Sequence, residues 1–230
     1  MVTRMVSSLT TDRVRGVLAG IQAAGADAQA STAQRLAARE AELGGRFYGR
    51  ERAEIVKDLP LAIAPEVGQL LYALVIASRP SLVVEFGGSM GFSTIYLASA
   101  LKDLGTGSLI TTELIPEKAD RLSENLEAAG LADVVEIRVG DALQTLSDVD
   151  AVIELLFLDG SNDLYAEVLE LCEKRLAPRA IVIADLSHDE PHHERYRDRV
   201  TAGTGLYITT EIALDAGVLV SARSEVPSEV

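Results

Sequence analysis

From Ser81 to Asp185, short apolar runs alternate with longer stretches of helical spacing, and each apolar run closes on an acid or a glycine. "SLVVEF" is followed by "FSTIYLASAL", "SLITTE" by "PEKADRLSENLEAAG", and "DVVEIRVG" leads to "AVIELLFLDG"; "DLYAEVLELCEKRL" then precedes "RAIVIAD". Apolar runs this short fit strands covered on both faces, and strands separated by helices pair in parallel. The rhythm predicts an α/β fold, a doubly wound and mostly parallel sheet with helices on both sides. The tail departs from it. "GLYITTEIAL" and "GVLVSARS" flank Asp215-Ala216-Gly217, which predicts an antiparallel hairpin at the sheet edge. Five parallel runs and two from the hairpin make a seven-stranded sheet.

The stretch "SLVVEFGGSMGFST" carries the strongest chemical signal. Gly87, Gly88 and Gly91 follow a strand and precede a helix. Glycine there lets the chain turn tightly and lets a ligand approach the peptide itself, with the free amides of the next helix favouring negative charge. The "GxxxxGK[ST]" pattern of triphosphate-binding loops is absent. Glu113 ends the second strand, 22 residues beyond Gly91, where a carboxylate can accept from both hydroxyls of a ribose. Acids also close the other strands. Glu85 lies in the first, Asp141 follows the third after Gly140, and Asp159 and Asp185 end the fourth and fifth. Ligands bind outside the carboxyl ends of such strands, so these residues converge on one crevice.

The 230 residues suit one substantial core, with residues 1–60 a helical N-terminal extension and residues 61–230 the cofactor-binding domain. The extension is rich in Ala, Leu, Glu and Arg, and Gly20 and Gly25 are expected to break it. It reads as a lid over the site, a dimer arm or plain capping helices. The formal charge of −14 argues against nucleic acid and anionic membranes as partners. No apolar stretch reaches transmembrane length without a charge or a turn, and no secretory signal is expected in the first residues. Cys172 is the sole cysteine, which fits a reducing, cytoplasmic setting.

Together "VVEFGGSMGFSTIYLA", "ITTELIPEKADRLSENLEAAGL", "IRVGDAL", "LFLDGSNDLY", "LAPRAIVIADL" and "TTEIALDAGVLVS" resemble the class I S-adenosylmethionine-dependent methyltransferases, in particular the catechol and caffeoyl-CoA type O-methyltransferases. The resemblance implies a methyl donor, S-adenosylmethionine, a small hydroxylated and possibly phenolic acceptor, and a homodimer. By position it places Gly87, Gly88, Ser89, Gly91 and Ser93 on the methionine and ribose side, and Glu85 near the charged methionine part. It places Glu113 on the ribose, Gly140, Asp141 and Ala142 at the adenine edge, and Asp159 facing the sulfonium. It also implies a divalent metal such as magnesium on Asp159 and Asp185.

Two positions depart from the family pattern. Asn162 stands where a catalytic lysine is usual, and Leu186 where the metal site has an amide. With that site incomplete, a general base is an alternative. His188, His192 and His193 lie in "SHDEPHHERY", beside the expected pocket. Histidine titrates near neutral pH and suits proton removal. His188, nearest the strand end, is the candidate base; an exposed loop, or an iron or zinc ligand, are the other readings. Two rival functions share the glycine loop and ribose acid: an NAD-dependent oxidoreductase and a non-catalytic cofactor-binding protein.

Overall fold

In the computed structural model the described residues are 7–186, 193–203 and 205–224. Three helices come first: α1 (Asp12–Leu43), α2 (Gly49–Ile55) and α3 (Pro65–Ser78). Alternation follows, with β1 (Leu82–Phe86), α4 (Phe92–Leu104), β2 (Ser108–Glu113), α5 (Pro116–Ala129), β3 (Val135–Val139), the short α6 (Ala142–Thr145), β4 (Ile153–Leu158), α7 (Tyr165–Glu173) and β5 (Leu176–Asp185). The chain ends in α8 (Glu194–Thr201), β6 (Tyr207–Ile212) and β7 (Val218–Arg223). The helix limits are chemical. Pro65 and Pro116 occupy first turns, where the missing N–H costs nothing, and Gly105 and Gly130 close α4 and α5 in the left-handed conformation.

The seven strands form one sheet in the order β3-β2-β1-β4-β5-β7-β6. The first five pair in parallel; β7 runs antiparallel to both β5 and β6. The expected sheet and its terminal hairpin are thus present. Alternation along the strands splits the core in two. Val84, Leu156 and Val182 face α7 and α8, whereas Val83, Leu155 and Ile183 face α3, α4 and α5. From β1 the chain winds outward to β2 and β3, then returns to build β4 on the other flank of β1. The carboxyl ends of β1 and β4 therefore bound a crevice, the place where ligands bind in open α/β sheets.

The expectation that Gly20 and Gly25 interrupt the first helix does not hold, because α1 runs unbroken through both. An interior glycine costs about 1 kcal/mol relative to alanine. The helix meets that cost through buried Val14, Ile21 and Thr32 and through contacts at its ends. Arg13 donates to the carbonyls of Ala128 and Glu127 at the end of α5, and the preceding turn is held by Asp103, which accepts from Ser8 and Tyr72. None of the helices among the described residues is long and apolar enough to cross a membrane.

Candidate active site

The loops after β1 and β4 touch backbone to backbone. Gly87 has φ 97°, and a β-carbon there would lie 2.6 Å from the Gly160 Cα and 2.7 Å from the Asp159 carbonyl oxygen. A β-carbon on Gly160 would in turn strike the Phe86 ring at 2.5 Å. The first loop is tied to β2, whose Thr112 carbonyl accepts from the amides of Gly87 and Gly88 at 3.2 and 2.9 Å. α4 then opens at Gly91 with no side-chain cap.

Glu113 closes the cradle from β2. Its Oε2 accepts from the Ser89 amide at 2.8 Å and its Oε1 from the Ile115 amide at 2.9 Å, so both oxygens are fixed while each keeps a free lone pair. Gly140, Asp141 and Ala142 continue the wall; Asp141 caps α6, its Oδ1 accepting from the Leu143 amide at 2.9 Å. These residues, with Ser89 and Gly87, line a cavity of about 660 Å³. Gly88, Gly91, Ser93 and Glu85 do not line it.

Glu85 has another task. It is fully buried, and its carboxylate accepts from Ser93 and Thr94 at 2.6 Å and from Thr111 at 2.7 Å. It thereby pins α4 and β2 to β1 from behind the loop. Burial pushes its carboxyl upward, against the pull of the three hydroxyls.

Lys118 was not among the residues singled out from sequence, yet it lines the cavity with only 3% of its surface exposed. Its Nζ donates to Ser89 Oγ at 3.4 Å, and the same oxygen accepts from the Leu61 amide at 3.2 Å. With two donors already on it, the Ser89 hydroxyl has its own proton to give. Burial lowers the Lys118 pKa, opposed by Glu113 and Asp58. The sequence signal was a lysine on the apolar stripe of α5, one position before buried Ala119.

At the other end stand Asp159, Gly160, Asn162, Tyr165 and Asp185. Burial and the neighbouring Asp185, Glu85 and Asp215 carboxylates hold Asp159 well above the ordinary carboxylate range. Burial, with Asp215, pushes Asp185 up to about 7, and its Oδ1 is buried without a hydrogen-bond partner among the described residues. The folded state therefore binds this proton more tightly than the unfolded chain. The carboxyl costs nothing below about pH 4, and its penalty grows as the pH rises to about 7. Asp185→Asn is expected to raise the melting temperature by roughly 3–8 °C at about pH 8 and to leave it nearly unchanged at about pH 4, read by paired thermal melts.

Tyr165 lies between Phe86 and Tyr196 in edge-to-face contacts, with centroids 6.3 and 5.8 Å apart, and donates to the Asp185 carbonyl at 2.8 Å. Asn162 meets Nδ1 of His193 at 3.0 Å. His188 and His192 lie outside the described residues. Leu186, in place of the family's amide, is buried in the core. Among the described residues no group of three or more His, Cys, Asp or Glu is arranged to hold a metal. Cys172 is buried, its thiol pushed up to about 12, as expected of a small apolar filler. The roof comes from the N-terminal helices, with Leu36 of α1, Tyr48 and Ala53 around α2, and Leu59 and Leu61 beyond it.

Residues 84–186 match a family model described as a methyltransferase domain. The catechol O-methyltransferase of Niastella koreensis is 29% identical over 129 residues, covering 54% of this chain and 58% of that protein. That of Sus scrofa is 30% identical over 137 residues, covering 56% and 72%. The chain thus spans less than two-thirds of the Niastella protein's length. The crystal structure of the O-methyltransferase TomG from Streptomyces achromogenes, in complex with SAM and involved in Tomaymycin synthesis, superposes with a TM-score of 0.65 at 28% identity. The match covers 73% of this chain and 84% of TomG. The chain belongs to the class I S-adenosylmethionine-dependent O-methyltransferases and resembles their catechol and caffeoyl-CoA type.

Proposed function

We propose that the protein transfers a methyl group from S-adenosylmethionine to a hydroxyl of a small molecule. The observation that carries this is the side-chain-free contact of Gly87 with Gly160, facing the paired oxygens of Glu113 across one cavity. A methionine carboxylate suits the proton that the Ser89 hydroxyl has left to give. Glu113 would take the ribose diol, with Gly140, Asp141 and Ala142 along the adenine edge. Asp159, held among other acids, would face the sulfonium, and that cation would favour its ionised form. When bound, the cofactor supplies an already activated methyl group.

The chain's own part is then to orient the acceptor and take its proton. Asn162, Tyr165 and Asp185 border the space for it, and His188 is the proposed base. The roof from α1 and α2 excludes water, which gives residues 1–60 the role of a cap. The resemblance supports a homodimer, and the single buried cysteine a cytoplasmic setting.

The unpaired Oδ1 of Asp185 favours a second reading, in which Asp159 and Asp185 would hold a magnesium ion that keeps several waters. Such an ion would lower the acceptor's pKa. Calorimetry with S-adenosylhomocysteine, followed by turnover of catechol with and without chelator, tests both. Micromolar binding and turnover are expected. Absence of binding by folded protein overturns the proposal, and turnover unaffected by chelator removes the second reading.

A further inference from the structure

We infer that His193 is a positioning residue for the methyl acceptor: its ring fixes the amide of Asn162 so that Oδ1, a hydrogen-bond acceptor, faces the cavity. This rests on the methyl-transfer reading for its chemistry, though not for its geometry. Asn162 opens the short turn Asn162–Leu164 after β4, a turn closed by the Leu164 amide on the Ser161 carbonyl at 2.9 Å. Its side chain lines the cavity, and its one side-chain hydrogen bond among the described residues is the 3.0 Å contact between Nδ2 and His193 Nδ1. His193 is 3% exposed and precedes α8, its carbonyl accepting from the Arg197 amide at 2.7 Å. The ring is therefore a fixed object and the amide is the part that answers to it.

An amide has one accepting and one donating end. With the neutral ring protonated at Nε2, Nδ1 carries a lone pair and draws the Asn162 NH₂ toward itself. Oδ1 is then what remains for the cavity. A proton on Nδ1 reverses this, turning Oδ1 inward and presenting the NH₂. Among the described residues, Glu211 on β6 and Arg197 on α8 bear on that balance. Glu211 favours the charged ring, and Arg197 offsets part of that charge by pairing with Glu211 at 2.7 Å.

The consequence is a chemical filter. Oδ1 holds a group that brings a proton, a hydroxyl or an N–H. The methylated product oxygen has no proton to offer and loses that contact. A site built to bond a donor discriminates strongly against a ligand that lacks one. An amide at 162 thus reads the acceptor's proton.

Long-range ¹H–¹⁵N correlation spectra of the full chain with S-adenosylhomocysteine test the geometry without turnover. The Nε2–H tautomer of His193 is expected at about pH 8, and the Asn162 amide resonances should shift with the same midpoint as the ring. An Nδ1–H ring at that pH, or an Asn162 amide indifferent to pH, overturns the inference. Kinetics supply the second arm. His193→Ala is expected to lower kcat/KM for catechol about tenfold while leaving S-adenosylhomocysteine affinity unchanged. His193→Gln, which keeps an accepting oxygen for the Asn162 NH₂, should regain most of that loss. Turnover by His193→Gln no better than by His193→Ala also overturns it. A wild-type protein that neither binds the homocysteine nor turns over catechol sinks the methyl-transfer reading instead, and spectra of the unliganded chain still decide the His193–Asn162 pair.

Discussion

Gly87→Val is expected to abolish cofactor binding and to cost roughly 3–5 kcal/mol of folding stability, the combined cost of backbone strain and overpacking. The φ of 97° is one a β-branched residue scarcely adopts. The space is also taken, and by backbone: the Gly160 Cα at 2.6 Å and the Asp159 carbonyl at 2.7 Å. Neither can rotate aside as a side chain would. Relief requires the loops after β1 and β4 to part, and those loops carry Gly87 and Asp159, which both line the cavity. Denaturant unfolding and calorimetry with S-adenosylhomocysteine should therefore fail together. A valine variant that unfolds at the wild-type midpoint would show that the two loops are not in contact.

That site was legible in the sequence because its causes are local. A strand that stops at glycine, and an acid at the end of the next strand, are written within "VVEFGGSMG" and "ITTE", and parallel order brings them together without further information. The hairpin around Asp215-Ala216-Gly217 is local in the same way, with Asp215 at φ 50° and Gly217 at φ 121° in the turn.

What the sequence hid depends on contacts distant along the chain. Gly20 and Gly25 look like breaks, but α1 is held by partners in α3, α4 and α5 that no window around them contains. Glu85 looks like one more strand-end acid. Its direction is decided by the strand's alternation and by three hydroxyls on α4 and β2, and it points away from the cavity. Lys118 looks like an exposed helical lysine until α2 and the chain beyond it cover the cavity. His193 meets Asn162 across 31 residues, a pairing invisible to spacing. The glycine loop and the strand-end acid are thus each written locally, whereas Glu85, Lys118 and the His193–Asn162 pair take their surroundings from residues distant along the chain.

Glu113→Ala should weaken S-adenosylhomocysteine binding about 100- to 1,000-fold, because two hydrogen bonds to a charged acceptor are worth roughly 3–4 kcal/mol together. Each carboxylate oxygen spends one lone pair on a backbone amide, Ser89 for one and Ile115 for the other, and keeps one for the ligand. Alanine therefore does two things: it removes both acceptors and frees the loop amide at Ser89. A ligand lacking one ribose hydroxyl separates these effects. In the wild type, 2′-deoxy-S-adenosylhomocysteine should bind about tenfold more weakly than the parent, the worth of one such bond. In Glu113→Ala that difference should vanish, since no acceptor remains to notice the missing hydroxyl. Equal discrimination in both proteins would mean that Glu113 only braces the glycine loop and that another group holds the sugar. Gln is a partial replacement: it keeps one accepting oxygen, but its NH₂ would confront the amide of Ser89 or Ile115 with a second donor, so its binding should fall between alanine and wild type.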